Sequence, residues 1–263
     1  MQSPCDVIPA GWLPDEGGSW HRVGGVSGHL NPGGQQFRDD DGAADPRVTA
    51  ALAAYDAGQG SEQDALTALA AARLLVPVVA VPADGHTAKA ATEGDKNSQM
   101  VLPTLIGRDG RPAVLAFTGL DTLARWRPNA RPVPAESDRV WRAAVADGCA
   151  VVIDVAGPVP VAVEGTRLAA LAAGQPVPAA YEDGDVRAEI EAAVAAEPVV
   201  AGVSMAPSRQ VDLAVRLHLS ADSWAGGDWQ PAVNHVAQSI AARLAGRLRR
   251  GIEISVTRDP LGS

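Results

Sequence analysis

The chain has 263 residues, of which 46% are hydrophobic and 20% charged, and a net charge of −9. That is globular material with room for one large or two ordinary domains, and its acidic balance excludes a whole-surface attraction to nucleic acid or anionic lipid. No run approaches the roughly 20 apolar residues of a spanning helix, no charged-then-apolar leader opens the chain, and two unrelated thiols, Cys5 and Cys149, do not make a disulfide framework. The expectation is a cytoplasmic protein with neither nucleic acid nor membrane as partner.

Residues 1–36 combine many glycines with four prolines and lack apolar periodicity, which reads as a flexible arm. Within it, Trp12 and Trp20 are large side chains able to dock on the folded body or on a partner. Asp39-Asp40-Asp41-Gly42 lacks the alternating ligands and distal Glu of a calcium loop and reads as a solvated acidic turn. Asp45-Pro46 then starts a helix that runs to about Asp56. Ser61-Glu62-Gln63-Asp64 caps a second helix, with acids in its first turn. Leu74–Val81 is a continuous apolar run, expected as a strand covered on both faces, with Pro77 marking an edge or a bulge. The polar stretch 82–98 reads as a loop.

Met100–Ile106 and Ala113–Phe117 flank Arg108-Asp109-Gly110-Arg111, a hairpin signal, followed by Gly119 and a helix over Thr122–Arg127. The same grammar returns in strand Ala150–Val155, a turn at Gly157-Pro158, strand Val159–Val163, then Gly165 and helix Thr166–Ala173. Gly119 recurs as Gly165, 46 residues on. Two ββα units sharing one sheet are expected. Between them, Arg131–Pro134 reads as an extended connection, and Glu136–Asp147 as a helix presenting Val140, Trp141, Ala144 and Val145 to the core. Gly174–Pro178 and the acidic Glu182–Asp185 form a linker, which sets a mixed α/β sheet domain at 37–178, a linker at 179–184 and a second domain at 185–258.

The second domain reads as helix Val186–Ala196, strand Val199–Ala206, a tight turn, strand Val211–Leu219, helix 231–249 and strand Ile252–Thr257. In the middle strand the odd positions are apolar, while Asp212, Arg216 and His218 share the other face. An α-β-β-α-β order with half-wet strands predicts a three-stranded sheet covered on one face by two helices, a ferredoxin-like module lacking its first strand. The overall class is α+β.

No phosphate loop, dinucleotide fingerprint, nucleophile elbow or zinc-ligand cluster occurs. The histidines 21, 29, 86, 218 and 235 are scattered and read as exposed structural residues, and Cys149 sits in an apolar run as a small buried side chain. The expectation is therefore no catalytic residue, no metal and no cofactor. Two surface features remain as candidate interaction sites. One is the arginine set Arg243, Arg247, Arg249 and Arg250, near the end of the last helix, where cations also suit the helix dipole. The other is the wet sheet face bearing Asp212, Arg216, His218, Glu253 and Ser255.

Several strings together resemble the SseB family, named for enhanced serine sensitivity and built from an N-terminal and a C-terminal SseB domain. They are Asp-Asp-Gly-Ala-Ala-Asp-Pro at 40–46, Ala-Arg-Leu-Leu-Val-Pro-Val-Val-Ala at 72–80, Asp-Gly-Arg-Pro-Ala at 109–113, Phe-Thr-Gly-Leu-Asp-Thr-Leu-Ala-Arg-Trp at 117–126, Ala-Arg-Pro-Val-Pro at 130–134 and Val-Ile-Asp-Val-Ala-Gly-Pro at 152–158. The resemblance covers 37–178 by motif and 185–257 by pattern. It implies a fold and supplies no active-site residues.

The leading functional expectation is a non-enzymatic interaction or regulatory module whose partner is another protein or a second copy of the chain. The alternative is an amino-acid sensor, or an enzyme, with a site at the domain interface or on the wet sheet face.

Overall fold

A computed structural model of the protein describes residues 37–82, 98–101, 103–107, 110–244, 247, 248 and 250–258. The expectations for Trp12, Trp20, Cys5, Arg249 and the polar loop beyond Pro82 lie outside the described residues. The fold is α+β, and the chain divides into two compact units. The first takes the described residues up to 53 and those of 67–175; the second takes 54–66 and the described residues from 176 on.

The first elements among the described residues are α1 (Pro46–Asp56) and α2 (Glu62–Ala70). Both caps form as the side-chain chemistry dictates. Asp45 Oδ1 accepts the Arg47 N–H at 2.8 Å; Ser61 Oγ accepts the Asp64 N–H at 3.1 Å, and Asp64 Oδ2 reciprocates by accepting the Ser61 N–H at 3.2 Å, a capping box.

In the first unit, strand β1 (Arg73–Pro82) lies between β2 (Ser98–Val101) and β5 (Arg131–Glu136), antiparallel to both. The Arg-Pro-Val-Pro segment is thus a paired strand rather than a bare connection. Leu75 exchanges both backbone hydrogen bonds with Phe117 at 2.8 Å, so its peptide groups point away from β5. Register places Leu75 opposite Pro134 and Pro77 opposite Pro132, so all three prolines fall on the parity whose missing N–H the β1–β5 ladder does not use.

A four-stranded sheet runs β3 (Thr104–Ile106), β4 (Pro112–Ala116), β6 (Ala150–Ile153), β7 (Val161–Val163). Both outer pairs are antiparallel hairpins and the central β4–β6 pair is parallel. Helix α3 (Leu120–Trp126) follows the first hairpin and α5 (Gly165–Ala172) the second. These are the two ββα units in one sheet. The segment read as one strand from Met100 breaks around Pro103, sending β2 to β1 and β3 to β4.

Leu115, Phe117, Leu123 and Val152 pack one face of this sheet, with Phe117 and Trp126 ring centroids 5.5 Å apart. Helix α4 (Ser137–Ala146) buries Val140, Trp141 and Ala144 as expected. Val145 departs from that stripe: it is 47% exposed.

The second unit follows the order α6 (Gly184–Val194), β8 (Val200–Ala206), β9 (Leu213–Leu219), α7 (Ala221–Gly226), α8 (Gln230–Arg243), β10 (Ile252–Arg258). The sheet order is β10-β9-β8, with β8–β9 antiparallel and β9–β10 parallel. This is the α-β-β-α-β arrangement with one added short helix. In a complete ferredoxin-like sheet a first strand would separate the counterparts of β9 and β10; here they pair directly.

Helix α8 ends at Arg243 rather than near residue 249, and α6 starts at Gly184 because Asp183 caps it. Asp183 Oδ1 accepts the N–H groups of Asp185 at 2.8 Å and Val186 at 3.4 Å. The acidic linker read from the sequence therefore contains a fully buried capping carboxylate.

Candidate interaction surface

Alternation in β9 builds the surface. Leu213, Val215, Leu217 and Leu219 are buried and pack with Val186 and Ile190 of α6 and Val233, Val236 and Ile240 of α8. The intervening positions Ala214, Arg216 and His218 therefore face the other way. Register then composes that face in three rows: Ser204–Arg216–Ser255, Gly202–His218–Thr257 and Ala206–Ala214–Glu253.

Arg216, Glu253 and Ser255 are exposed and His218 is half-buried, its Nε2 2.9 Å from Ser204 Oγ. Four residues singled out in the sequence, Arg216, His218, Glu253 and Ser255, thus share one face. The fifth, Asp212, has a different place. Its Oδ2 accepts the Arg250 backbone N–H at 2.8 Å and its own N–H donates to the Gly251 carbonyl at 3.1 Å. It clasps the approaches to β9 and β10. Burial pushes its carboxyl up, opposed by the Arg250 N–H and guanidinium.

The arginines do not gather into one patch among the described residues. Arg243 meets Glu189 at 2.9 Å. Arg250 donates to the Arg209 carbonyl at 2.7 Å. Arg247 is turned inward, its side chain 14% exposed; it pairs with Asp183, holds Nε 3.7 Å from Glu62, and its carbonyl accepts the Tyr55 hydroxyl at 2.9 Å. Arg247 is thus an internal tie of the second unit. His235 is exposed, 3.3 Å from Glu197.

A node in the first unit escaped the sequence reading. Asp154, 3% exposed and held at φ 50°, takes the Thr118 N–H at 2.9 Å and the hydroxyls of Thr118 at 2.6 Å and Thr122 at 2.5 Å. Desolvation pushes its carboxyl above the ordinary range, opposed by the hydroxyls of Thr118 and Thr122, the Thr118 N–H and the charge of Arg125. Nearby, the guanidinium of Arg73 lies 2.7 Å from Asp40 and donates to the carbonyls of Thr118 at 3.0 Å and Ala43 at 2.6 Å. The Leu120 N–H donates to the Gly42 carbonyl at 2.9 Å. Asp40 is therefore a tied carboxylate, not part of a merely solvated turn.

The strings at 40–46, 72–80, 117–126 and 152–158 meet here. A lone Asp closing an apolar strand before Gly-Pro was the available signal. With its bonds taken from within the chain, the node fastens loops together.

Cys149 is free and buried, its thiol pushed up by desolvation and then by the charge of Asp147. Among the described residues no group of three or more His, Cys, Asp or Glu is placed to hold a metal, and no helix is long and apolar enough to cross a membrane.

Residues 48–170 match the family model described as the SseB protein N-terminal domain. No curated protein and no solved structure matches the chain.

Proposed function

We propose that this chain, which carries an SseB N-terminal domain at residues 48–170, is a cytoplasmic, non-enzymatic interaction module that receives a protein partner on the sheet face of its second unit that lies opposite helices α6 and α8. The observation that carries this reading is the face itself. Helices α6 and α8 cover one side of β8–β9–β10, and Arg216, Glu253 and Ser255 stand exposed on the other.

Gly202, Ser204, Ala206, Ala214 and Ser255 are small, so Arg216 is the largest side chain on a face that it shares with His218, Glu253 and Thr257. Small-molecule sites are concave and mostly apolar, whereas an exposed polar sheet face around an arginine suits a protein surface, where Arg is a frequent hot spot.

Thermal-shift measurement against free amino acids and common metabolites tests the reading. The melting midpoint is expected to stay unchanged throughout. A reproducible, saturable rise with serine or another amino acid would replace it with the sensor function.

A further inference from the structure

We infer that the chain forms a two-fold dimer by antiparallel pairing of strand β8 with β8 of a second copy. This pairing uses the edge of the sheet rather than its face, and the partner is a second copy of the chain. Strand β8 is terminal in the order β10-β9-β8, so among the described residues one row of its peptide N–H and C=O groups has no strand beside it within the sheet.

Natural edges of this length are guarded by charges, proline or bulges. The seven residues Val-Ala-Gly-Val-Ser-Met-Ala carry no charge and no proline, and the only register irregularity lies between Val200 and Gly202, leaving Gly202–Ala206 regular. The opposite edge, β10, carries Glu253 and Arg258.

The sequence of β8 is also self-complementary about Ser204. A two-fold axis there sets Ser204 opposite Ser204 of the partner, Gly202 opposite Ala206 and Val203 opposite Met205. No like charges meet, and the larger side chains that face each other, Val203 and Met205, are both apolar. Val203 and Met205 pack against the core beneath the sheet while remaining only partly buried. A neighbouring strand completes their burial, which adds an apolar contribution to the backbone pairing. The product is a six-stranded sheet whose wet faces are continuous, so the partner surface above is doubled rather than blocked.

Sedimentation and light scattering on the full chain test this, together with a guarded variant, S204K/A206K, which sets lysines against each other across the axis on the solvent side. The expected result is twice the chain mass for the wild type and a single chain mass for the variant, with its melting midpoint retained.

Opposed residues of paired strands hold their Cβ atoms about 4.5–5.5 Å apart. In a Cys5→Ser background, Ser204→Cys is therefore expected to link two copies through a disulfide on treatment with diamide, and Ser255→Cys is not. This arm stands even if the lysine variant fails to fold. A single chain mass for the wild type at every concentration, or linkage through position 255 as fast as through 204, overturns the inference.

Discussion

Asp154 takes both polar hydrogens that Thr118 offers, the backbone N–H on Oδ1 at 2.9 Å and the hydroxyl on Oδ2 at 2.6 Å. The end of β6 is thereby fastened to the residues that lead into α3, and the Asp154 N–H reaches back to the Ala116 carbonyl at 2.9 Å. Asp154→Ala strips these acceptors from a buried donor pair. Each unsatisfied buried group costs about 1–3 kcal/mol, so urea denaturation should show a loss of about 3 kcal/mol or more, with Asp154→Asn intermediate.

The same residue gives a pH signature. Burial raises the Asp154 carboxyl above its ordinary 3.8 in the folded chain, so the folded state keeps a proton that the unfolded state has released. Its contribution to stability is full below the unfolded value and is lost as pH rises through the folded one. Asp154→Asn has no such titration. Wild type should therefore gain on Asp154→Asn as the pH falls from about 7 towards 4, a window set by ordinary carboxylate titration; a wild type that instead loses ground to Asp154→Asn as the pH falls contradicts the assignment.

Gly157 closes over this node. A Cβ there would lie 2.8 Å from Asp154 Cβ and 3.0 Å from the Asp154 carbonyl oxygen, and the backbone it meets cannot swing aside. Gly157→Ala should destabilise by about 1–3 kcal/mol, the scale of overpacking, as read by thermal or urea unfolding.

In the second unit, Asp183 serves two ends at once, capping α6 and pairing with Arg247. Asp183→Ala removes the cap and leaves a largely buried guanidinium with the longer Glu62 contact as its remaining ion pair among the described residues. Breaking a buried pair costs about 3–5 kcal/mol. Asp183→Asn, which keeps the capping oxygen, should recover part of that loss. Urea unfolding of the full chain measures both, and equal losses would show that the cap contributes nothing.

Cys149 should resist a thiol reagent in the native state and react quickly once unfolded, because burial and the charge of Asp147 both disfavour the thiolate. Comparing labelling rates with and without denaturant checks this. Rapid native labelling would return a nucleophilic or redox role to consideration.

The hairpins were legible because Gly110 and Gly157 punctuate short apolar runs, and the final sheet because β9 alternates cleanly. What stayed hidden was set by tertiary partners. Nothing local distinguishes Asp183 from the acids beside it; only Arg247, 64 residues away, makes it a buried anchor. Arg131–Glu136 reads as a strand only once Leu75 fixes which parity needs its N–H groups. The sheet face was visible from periodicity, which gives direction, whereas Asp212 shares that parity and is nevertheless occupied by Arg250.

The interaction reading turns most directly on Arg216, which is exposed at the centre of the face and has no part in the core. Quantitative isotope-labelled affinity capture from the native host should compare wild type, Arg216→Glu, and Asp121→Arg as a charge-changing control in the first unit. The expected result is a defined partner retained by wild type and by the control and lost at least tenfold with Arg216→Glu, while all three melt alike. Equal recovery of the same proteins by Arg216→Glu and wild type would contradict the assignment of this face.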